Sequence, residues 1–311
     1  MNQNGIPDLV FDTETTSGPI TFINIVEWDG SSFVPIIQAC HGDNATQTSA
    51  LARQLYWYQT DWLPREHGNC FPYPYVEGEA SVEVRDTDGN GTQELVLTDD
   101  GPSSFDTLHS FGPWRGKTTV FEWDGFHFLY SSLTIDRPVY RFQALQDADR
   151  EFLLGNYEQA LSLYQDVIFS DKLEWWTPER IRYPIEVREA EAFNSPVPAL
   201  PQPDPSEYKS LAAYARYRIV LNHLARGWIT PAQTVLQGLH TAFKGDSIGA
   251  PYVQAADLLW TSFQENPNLA SACGGVVEYF DQHPELLKPL GDSSHGQQSH
   301  IYAPEDTCPI R

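Results

Sequence analysis

Basic residues are scarce in this chain of 311 residues. Lysine and arginine together number 19 against 42 aspartates and glutamates, which gives a formal net charge of −23 at pH 7. A field of that sign repels nucleic acid and anionic membrane surfaces and attracts cations. The chain also lacks any uninterrupted apolar run of about 18 residues, the length that a membrane-spanning helix needs. The composition therefore argues against nucleic-acid binding and against a transmembrane segment.

Cysteine is limited to four residues, Cys40, Cys70, Cys273 and Cys308, and none of them has the spacing of a zinc ligand. Four cysteines allow three disulfide connectivities. Their placement favours the local pairs Cys40–Cys70 and Cys273–Cys308, the second tying down a tail that has little else to hold it. The alternative is four free thiols in a cytoplasmic protein.

Acidic residues, in contrast, form one ordered series, Asp86-x-Asp88-x-Asn90-Gly91-x-x-Glu94. A hard cation needs six or more oxygen ligands, and this series offers side-chain oxygens at loop positions 1, 3, 5 and 9. Thr92 at position 7 is expected to add its backbone carbonyl, and Gly91 permits the sharp turn. The residues after the loop read as a strand. The sequence therefore predicts a calcium site in a turn between strands.

A partial copy of this loop lies at the N-terminus, where Asn2, Asn4 and Asp8 fill positions 3, 5 and 9. Position 1 would lie before Met1, so either this second calcium site is incomplete or the natural polypeptide begins further upstream, which we favour. The alternative for both loops is an ordinary surface turn rich in Asp, Asn and Gly.

The repeat continues beyond the loops. Glu27-Trp-Asp29-Gly30 returns as Glu122-Trp-Asp124-Gly125, with apolar runs on both sides. Asp-Gly between such runs predicts a hairpin with a type I′ turn, which requires positive φ at both central residues. We expect a β domain over residues 1–138, with repeat 1 at about 1–38, an insertion at 39–78 and repeat 2 at about 79–135.

This pattern resembles the FG-GAP/VCBS group of extracellular calcium-stabilised β repeats. The resemblance covers roughly residues 1–135, and its most specific part runs from Asp86 to Leu97. It implies antiparallel, propeller-blade-like units and a location outside the cytoplasm, with a signal or lipid anchor upstream of this chain.

After residue 140 the pattern becomes helical. Apolar residues keep helical spacing from Asp147 to Val167, and Gly155 separates two predicted helices, with Ala160 at their crossing. This stretch resembles a tetratricopeptide repeat. Further helix pairs are predicted at Tyr208–Phe243 and Tyr252–Phe280, and a proline-rich connector at 195–206. Residues 139–311 are therefore expected to form a helical-repeat domain with a disulfide-pinned tail, and the fold class is α+β.

Signatures of catalysis are absent: Gly-x-Ser-x-Gly, His-Glu-x-x-His and phosphate-binding glycine loops do not occur. Glu27 and Glu122 could pair for glycoside chemistry, but the simpler interpretation is two polar strand positions. The aromatic residues Tyr56, Trp57, Tyr58 and Trp62 could line a sugar-binding or protein-binding face, or could pack a core.

Together the two halves resemble secreted or lipid-anchored bacterial proteins. The leading hypothesis is a non-catalytic, extracellular calcium-binding protein whose helical repeats bind other proteins or copies of the chain itself. The alternatives are a structural subunit of a surface layer or filament, and an enzyme or accessory module acting on surface polysaccharide.

Overall fold

The computed structural model describes residues 4–14, 20–38, 75–77, 80–99, 113–296 and 299–310. The chain divides into two compact units, Met1–Arg137 and Pro138–Arg311. Strands make up the regular structure described in the first unit, and helices that of the second. The protein is therefore of the α+β class, with the division one residue before the boundary expected from the sequence.

The described strands of the first unit follow one another in the order β1 Asp8–Glu14, β2 Ile20–Trp28, β3 Phe33–Pro35, β4 Ile37–Gln38, β5 Tyr75–Glu77, β6 Ala80–Arg85, β7 Glu94–Asp99, β8 Lys117–Trp123 and β9 Phe128–Ile135. In one sheet β2 pairs with β1, β3 and β5. The other sheet has the order β4-β9-β8-β7-β6, antiparallel except for the parallel pair β4 and β9. The described strands form neither a closed barrel nor a propeller.

The chain passes from one sheet to the other at Ile36. Its amide donates to the carbonyl of Ile25 in β2 over 2.9 Å, and its carbonyl accepts from the amide of Phe128 in β9 over 2.7 Å. The predicted first repeat therefore contributes its last strand, β4, to the sheet of the second. The end of the predicted insertion likewise returns as a strand, β5, which pairs with β2.

Both sheets supply side chains to one apolar core. Its buried members are Ile23, Ile25, Ile36, Ile37, Leu95, Leu97, Phe121 and Phe128. Ile23 and Ile25 lie two residues apart in β2, as do Leu95 and Leu97 in β7, because alternate side chains of a strand point to the same face. Burial of this apolar surface is the main force that holds the two sheets together.

The prediction of type I′ turns is wrong. Four residues separate β2 from β3 and β8 from β9, and only the glycines Gly30 and Gly125 have positive φ, at 101° and 106°. Among the non-glycine residues that the structure describes, only Asn194 has a positive φ. The aspartate instead uses its side chain: Oδ1 of Asp29 accepts two following backbone amides, and Oδ1 of Asp124 does the same. In these longer turns a side-chain acceptor stabilises the reversal of the chain, whereas a shorter turn would require a strained backbone.

The described helices of the second unit are α1 Arg141–Leu154, α2 Tyr157–Phe169, α3 Pro178–Ala192, α4 Pro205–Ala225, α5 Ile229–Ala242, α6 Ala250–Glu265 and α7 Leu269–Gln282, followed by 3₁₀ turns at Pro284–Leu286, Ser293–His295 and Pro304–Thr307. Helices α1 and α2, α4 and α5, and α6 and α7 pack as successive pairs. These three pairs are the ones that the sequence predicts, whereas α3 is not predicted.

Small residues and glycines shape the first two helix pairs. Gly155 and Gly227 adopt positive φ, 85° and 72°, at the turns, as the αL end of a helix requires. Ala160 and Ala232 are fully buried five residues later. The proline-rich connector is shorter than predicted because α4 already begins at Pro205, where the Asp204 side chain caps the helix by accepting the amide of Ser206.

Candidate metal site

The acidic loop joins β6 to β7, and strand pairing brings its ends together. Arg85, the last residue of β6, is opposite Glu94, the first residue of β7. The loop therefore returns Glu94 to the side of Asp86. One carboxylate oxygen each from Asp86, Asp88 and Glu94 lie within 4.8 Å of one another, and among the described residues this is the one acidic group with such geometry.

Backbone amides orient the carboxylate of Asp86. Its Oδ1 accepts from the amide of Gly89 over 2.6 Å, and its Oδ2 accepts from the amide of Gly91 over 2.9 Å. These bonds, that of Gly91 foremost, lower the pKa of Asp86 because they favour the ionised form. Both glycines have positive φ, 77° and 86°, a conformation that residues with a side chain rarely adopt.

The remaining predicted ligands are also held within the loop. Oδ1 of Asp88 accepts the amide of Asn90 over 2.9 Å, and Oδ1 of Asn90 accepts the amide of Thr92 over 2.6 Å. Glu94 is buried, and its Oε2 accepts from the amide and the hydroxyl of Thr87 over 2.5 and 2.8 Å. Hydrogen bonds from the loop itself thus hold the predicted ligand side chains, so binding of an ion would require little further ordering of the loop.

This donor set fits calcium. Calcium takes six to eight oxygen ligands, from carboxylates, amide side chains, backbone carbonyls and water. Asp86, Asp88 and Glu94 would supply negative charge. Asn90 and the carbonyl of Thr92 are the neutral oxygens that the sequence predicts. Three carboxylates at this separation repel one another, and a divalent cation removes that repulsion.

The N-terminal loop shares part of this geometry. Oδ1 of Asn4 accepts the amide of Ile6 over 2.8 Å, the counterpart of the bond between Asn90 and Thr92, and Gly5 has φ of 81°. Asp8 opens β1 as Glu94 opens β7. Nδ2 of Asn4 donates to Oε2 of Glu27 over 2.5 Å, a partner that the sequence does not predict. Asn2 lies outside the described residues.

Glu27 and Glu122, the carboxylates considered for glycoside chemistry, lie in β2 and β8, strands of different sheets. Oε1 of Glu122 accepts a hydrogen bond from the hydroxyl of Ser131 over 2.5 Å, and Oε2 of Glu27 accepts one from Nδ2 of Asn4. Each is therefore engaged with a neighbouring polar group, as expected of a polar strand position. Tyr56, Trp57, Tyr58, Trp62, Cys40 and Cys70 all lie outside the described residues.

The helical unit contains a buried polar cluster that the sequence analysis missed. Nε of Arg218 in α4 lies 3.1 Å from Oδ1 of Asp149 in α1, and both side chains are fully buried. Three tyrosine hydroxyls also donate to the Asp149 carboxylate, from Tyr164, Tyr214 and Tyr302. The available signal was a charged residue among apolar ones on one helix face, since Leu145, Ala148 and Phe152 flank Asp149 at helical spacing.

Burial raises the pKa of the Asp149 carboxyl, and Arg218 and the tyrosine hydroxyls oppose that rise. Burial also lowers the pKa of the Arg218 guanidinium, but Asp149 together with Tyr164, Tyr214 and Tyr217 outweighs it, and the pKa lies well above its usual value. The separation of 3.1 Å between Nε of Arg218 and Oδ1 of Asp149 is that of a salt bridge. Such pairs occur inside proteins when further hydrogen bonds compensate the lost hydration.

The C-terminal tail is held far more firmly than the sequence suggests, which corrects the expectation of a tail fixed by little besides its cysteine. Cys308 is joined to Cys273 of α7, with Cα atoms 5.3 Å apart. Nη1 of Arg218 also donates to the carbonyls of Asp306 and Thr307 over 2.6 and 3.0 Å. The tail is therefore attached to the helices at several points, of which the disulfide is one.

Comparison with models of protein families, with characterised proteins and with solved structures finds no significant match for this chain. The resemblances to FG-GAP/VCBS and tetratricopeptide repeats accordingly stay predictions. Within the part of the chain that the structure describes, no helix is both long enough and apolar enough to cross a membrane.

Proposed function

We propose that this chain is a non-catalytic, extracellular protein in which calcium stabilises a β unit and a helical unit binds another protein. The observation that carries the proposal is the convergence of Asp86, Asp88 and Glu94 within 4.8 Å in a loop whose own amides orient them. FG-GAP/VCBS and tetratricopeptide repeats are the families that we propose for the two units. The disulfide between Cys273 and Cys308 supports an oxidising location.

Calcium acts in this proposal by fixing the turn between β6 and β7. Extracellular modules bind calcium with dissociation constants of about 10⁻⁴–10⁻³ M. At roughly millimolar calcium, a site at the tight end of that range stabilises the folded state by about 1.4 kcal/mol through mass action. That gain lies in the β unit, because all five ligand residues belong to it.

Thermal unfolding with calcium and with a chelator tests the metal site. We expect calcium to raise the melting temperature of the β unit in the parent chain, and to leave that of Asp86→Asn/Asp88→Asn unchanged. A matched control is Asp124→Asn, which changes an exposed turn aspartate of the same sheet outside the acidic loop. This control should keep the calcium response. An equal response in the double variant would refute the assignment.

For the helical unit we propose a protein partner, because stacked helix pairs present extended surfaces suited to protein binding. The acidic composition favours a partner with a basic surface. Affinity capture with the intact chain at low and at physiological salt tests this proposal, since contacts between opposite charges weaken as salt rises. A partner retained equally at both salt concentrations would contradict the electrostatic part.

A second candidate is self-association through β1. Leu9 and Phe11, two residues apart, are 48% and 40% exposed, and β1 pairs with a described strand on one side only, that of β2. An exposed edge of this kind can accept a strand from another copy. Light scattering over a range of concentrations in millimolar calcium separates the two candidates, because a monomer throughout rules assembly out.

A further inference from the structure

The helical unit contacts its own C-terminal tail through side chains that bind backbone groups. Oε1 of Gln146 in α1 accepts the amide of His300 over 3.1 Å. Its Nε2 donates to the hydroxyl of Ser299 over 2.8 Å and to the carbonyl of Leu290 over 3.0 Å, and lies 3.4 Å from the carbonyl of His300. Tyr217 of α4 donates to the carbonyl of Thr307 over 2.9 Å, and Arg218 donates to the same carbonyl. Bonds to the backbone at His300 and Thr307 hold the segment in place whatever the side chains at these two positions.

One side chain of the tail adds selectivity. Tyr302 is buried, and its hydroxyl donates to Oδ2 of Asp149 over 2.7 Å. A hydrogen bond to a buried, ionised carboxylate is among the stronger kinds, and its loss leaves a charged acceptor short of a donor. The tail also orders itself, since Oδ2 of Asp306 meets the ring of His300 at 2.9 Å and accepts the amide of Ala303 over 2.8 Å.

We propose that the surface formed by α1, α4 and α7 is a peptide-binding site whose resident ligand is the chain's own segment 299–310. The site takes a peptide that has a tyrosine two positions after the residue whose amide Gln146 accepts, followed by the 3₁₀ turn Pro304–Thr307. The bond between Cys273 and Cys308 keeps this ligand at the site. The proposal concerns the helical unit alone and stands independently of the calcium site.

A cut between the tail and the helices tests the proposal. A specific protease site is inserted between Gln297 and Gln298 of the full chain, which is folded, cleaved and then treated with a dithiol reductant. The probe is a labelled peptide of residues 299–310 carrying Cys308→Ser. We expect it to replace the resident segment and to bind saturably, while the helical circular dichroism signal is retained.

Specificity is measured with matched peptides and proteins. Tyr302→Phe in the peptide removes only the hydroxyl and should weaken binding about 10-fold or more. Ile301→Ala, which changes an exposed neighbour, should have little effect. In the cleaved protein, Gln146→Ala should weaken binding of the parent peptide. A peptide that does not rebind to folded helices, or equal binding of the Tyr302→Phe peptide, would overturn the proposal.

Helices that unfold when the segment leaves would also overturn it, because the segment would then be part of the core. If the inserted protease site prevents folding, hydrogen exchange on the uncut variant Cys273→Ser/Cys308→Ser tests the proposal instead. We expect the amide of His300 to exchange through an opening that leaves the amides in the middle of α4 protected. If the amide of His300 and the amides of α4 exchange at one common rate, the segment does not separate from the helices, and the proposal is refuted.

Discussion

The hydroxyl of Tyr302 donates to Oδ2 of Asp149 over 2.7 Å although 153 positions separate the two residues in the chain. Asp149 thereby receives donors from α1's partner helices and from the tail, while Arg218 balances its charge. The helices and the tail of the helical unit consequently pack around one buried ion pair. The stability of this unit should depend strongly on this pair and weakly on most surface positions.

Replacing Asp149 by asparagine should lower the free energy of unfolding by about 3–5 kcal/mol, because Arg218 would stay buried without its counter-charge. In Asp149→Asn/Arg218→Met the loss should be at least about 1 kcal/mol smaller than the sum of the two single losses, since the double variant leaves no unpaired charge. Urea unfolding followed by the helical circular dichroism signal measures all three. Simple additivity would contradict a coupled pair.

Glu207 should make stability fall as pH rises from about 4.5 to about 7. Burial raises its pKa from 4.5 to about 7, while Oε1 accepts the amide of Trp176 and Arg141 and Arg180 partly oppose the rise. A carboxyl with a raised pKa in the folded state stabilises fully below its unfolded pKa, and this contribution is lost progressively as pH rises from about 4.5 to about 7. The loss amounts to about 3 kcal/mol at most.

The matched variant for this effect is Glu207→Gln, which keeps an acceptor oxygen and does not titrate. Relative to the parent, it should gain stability between pH 5 and pH 8 in urea unfolding. A constant difference between the two proteins over this range would show that Glu207 is not the titrating group.

Glu94→Gln should have opposite effects with and without calcium. With a chelator, the variant should be as stable as the parent or slightly more so, because one of three clustered like charges is gone. With millimolar calcium it should be less stable than the parent, since a charged ligand is lost. Calorimetric titration should show weaker binding by about 10-fold or more. A variant less stable by the same amount under both conditions would indicate a purely structural glutamate.

The disulfide of the tail should be detectable and stabilising. Non-reducing peptide mapping should recover Cys273 linked to Cys308, and we predict Cys40 linked to Cys70 in the same map. Closing a loop of 35 residues stabilises by roughly 3–4 kcal/mol on the chain-entropy model. Cys273→Ser/Cys308→Ser should therefore lower the unfolding free energy of the helical unit by up to that amount. Four free thiols would overturn the proposed oxidising location.

The two hairpin glycines should respond alike to substitution. Gly30 and Gly125 have φ of 101° and 106°, and a Cβ atom at either would meet no atom within 4 Å. Gly30→Ala and Gly125→Ala should each cost about 1–2 kcal/mol, all of it from the backbone conformation. Thermal unfolding of the β unit measures both. Clearly unequal losses would argue that the two hairpins are not equivalent elements.

The sequence by itself determined the local elements of this protein. The spacing from Asp86 to Glu94 predicted a loop that enters a strand, and Gly155 and Gly227 predicted turns between helices. These features rest on contacts between residues close in the chain, such as the amide of Gly91 on Asp86, so a short window contains both partners. The hairpin turns were located correctly but given the wrong turn type, because Asp-Gly also occurs in longer turns.

Only the tertiary structure decided which distant groups meet. Ile36 links the two sheets, Arg218 pairs with Asp149, and the tail carbonyls of Asp306 and Thr307 meet Arg218 88 and 89 residues away in the chain. The sequence around each of these residues shows no unusual pattern, and it does not indicate the residue with which each one pairs. A buried charge is stable only where the fold brings its counter-charge and hydrogen-bond donors to the same place, and that depends on how the helices pack.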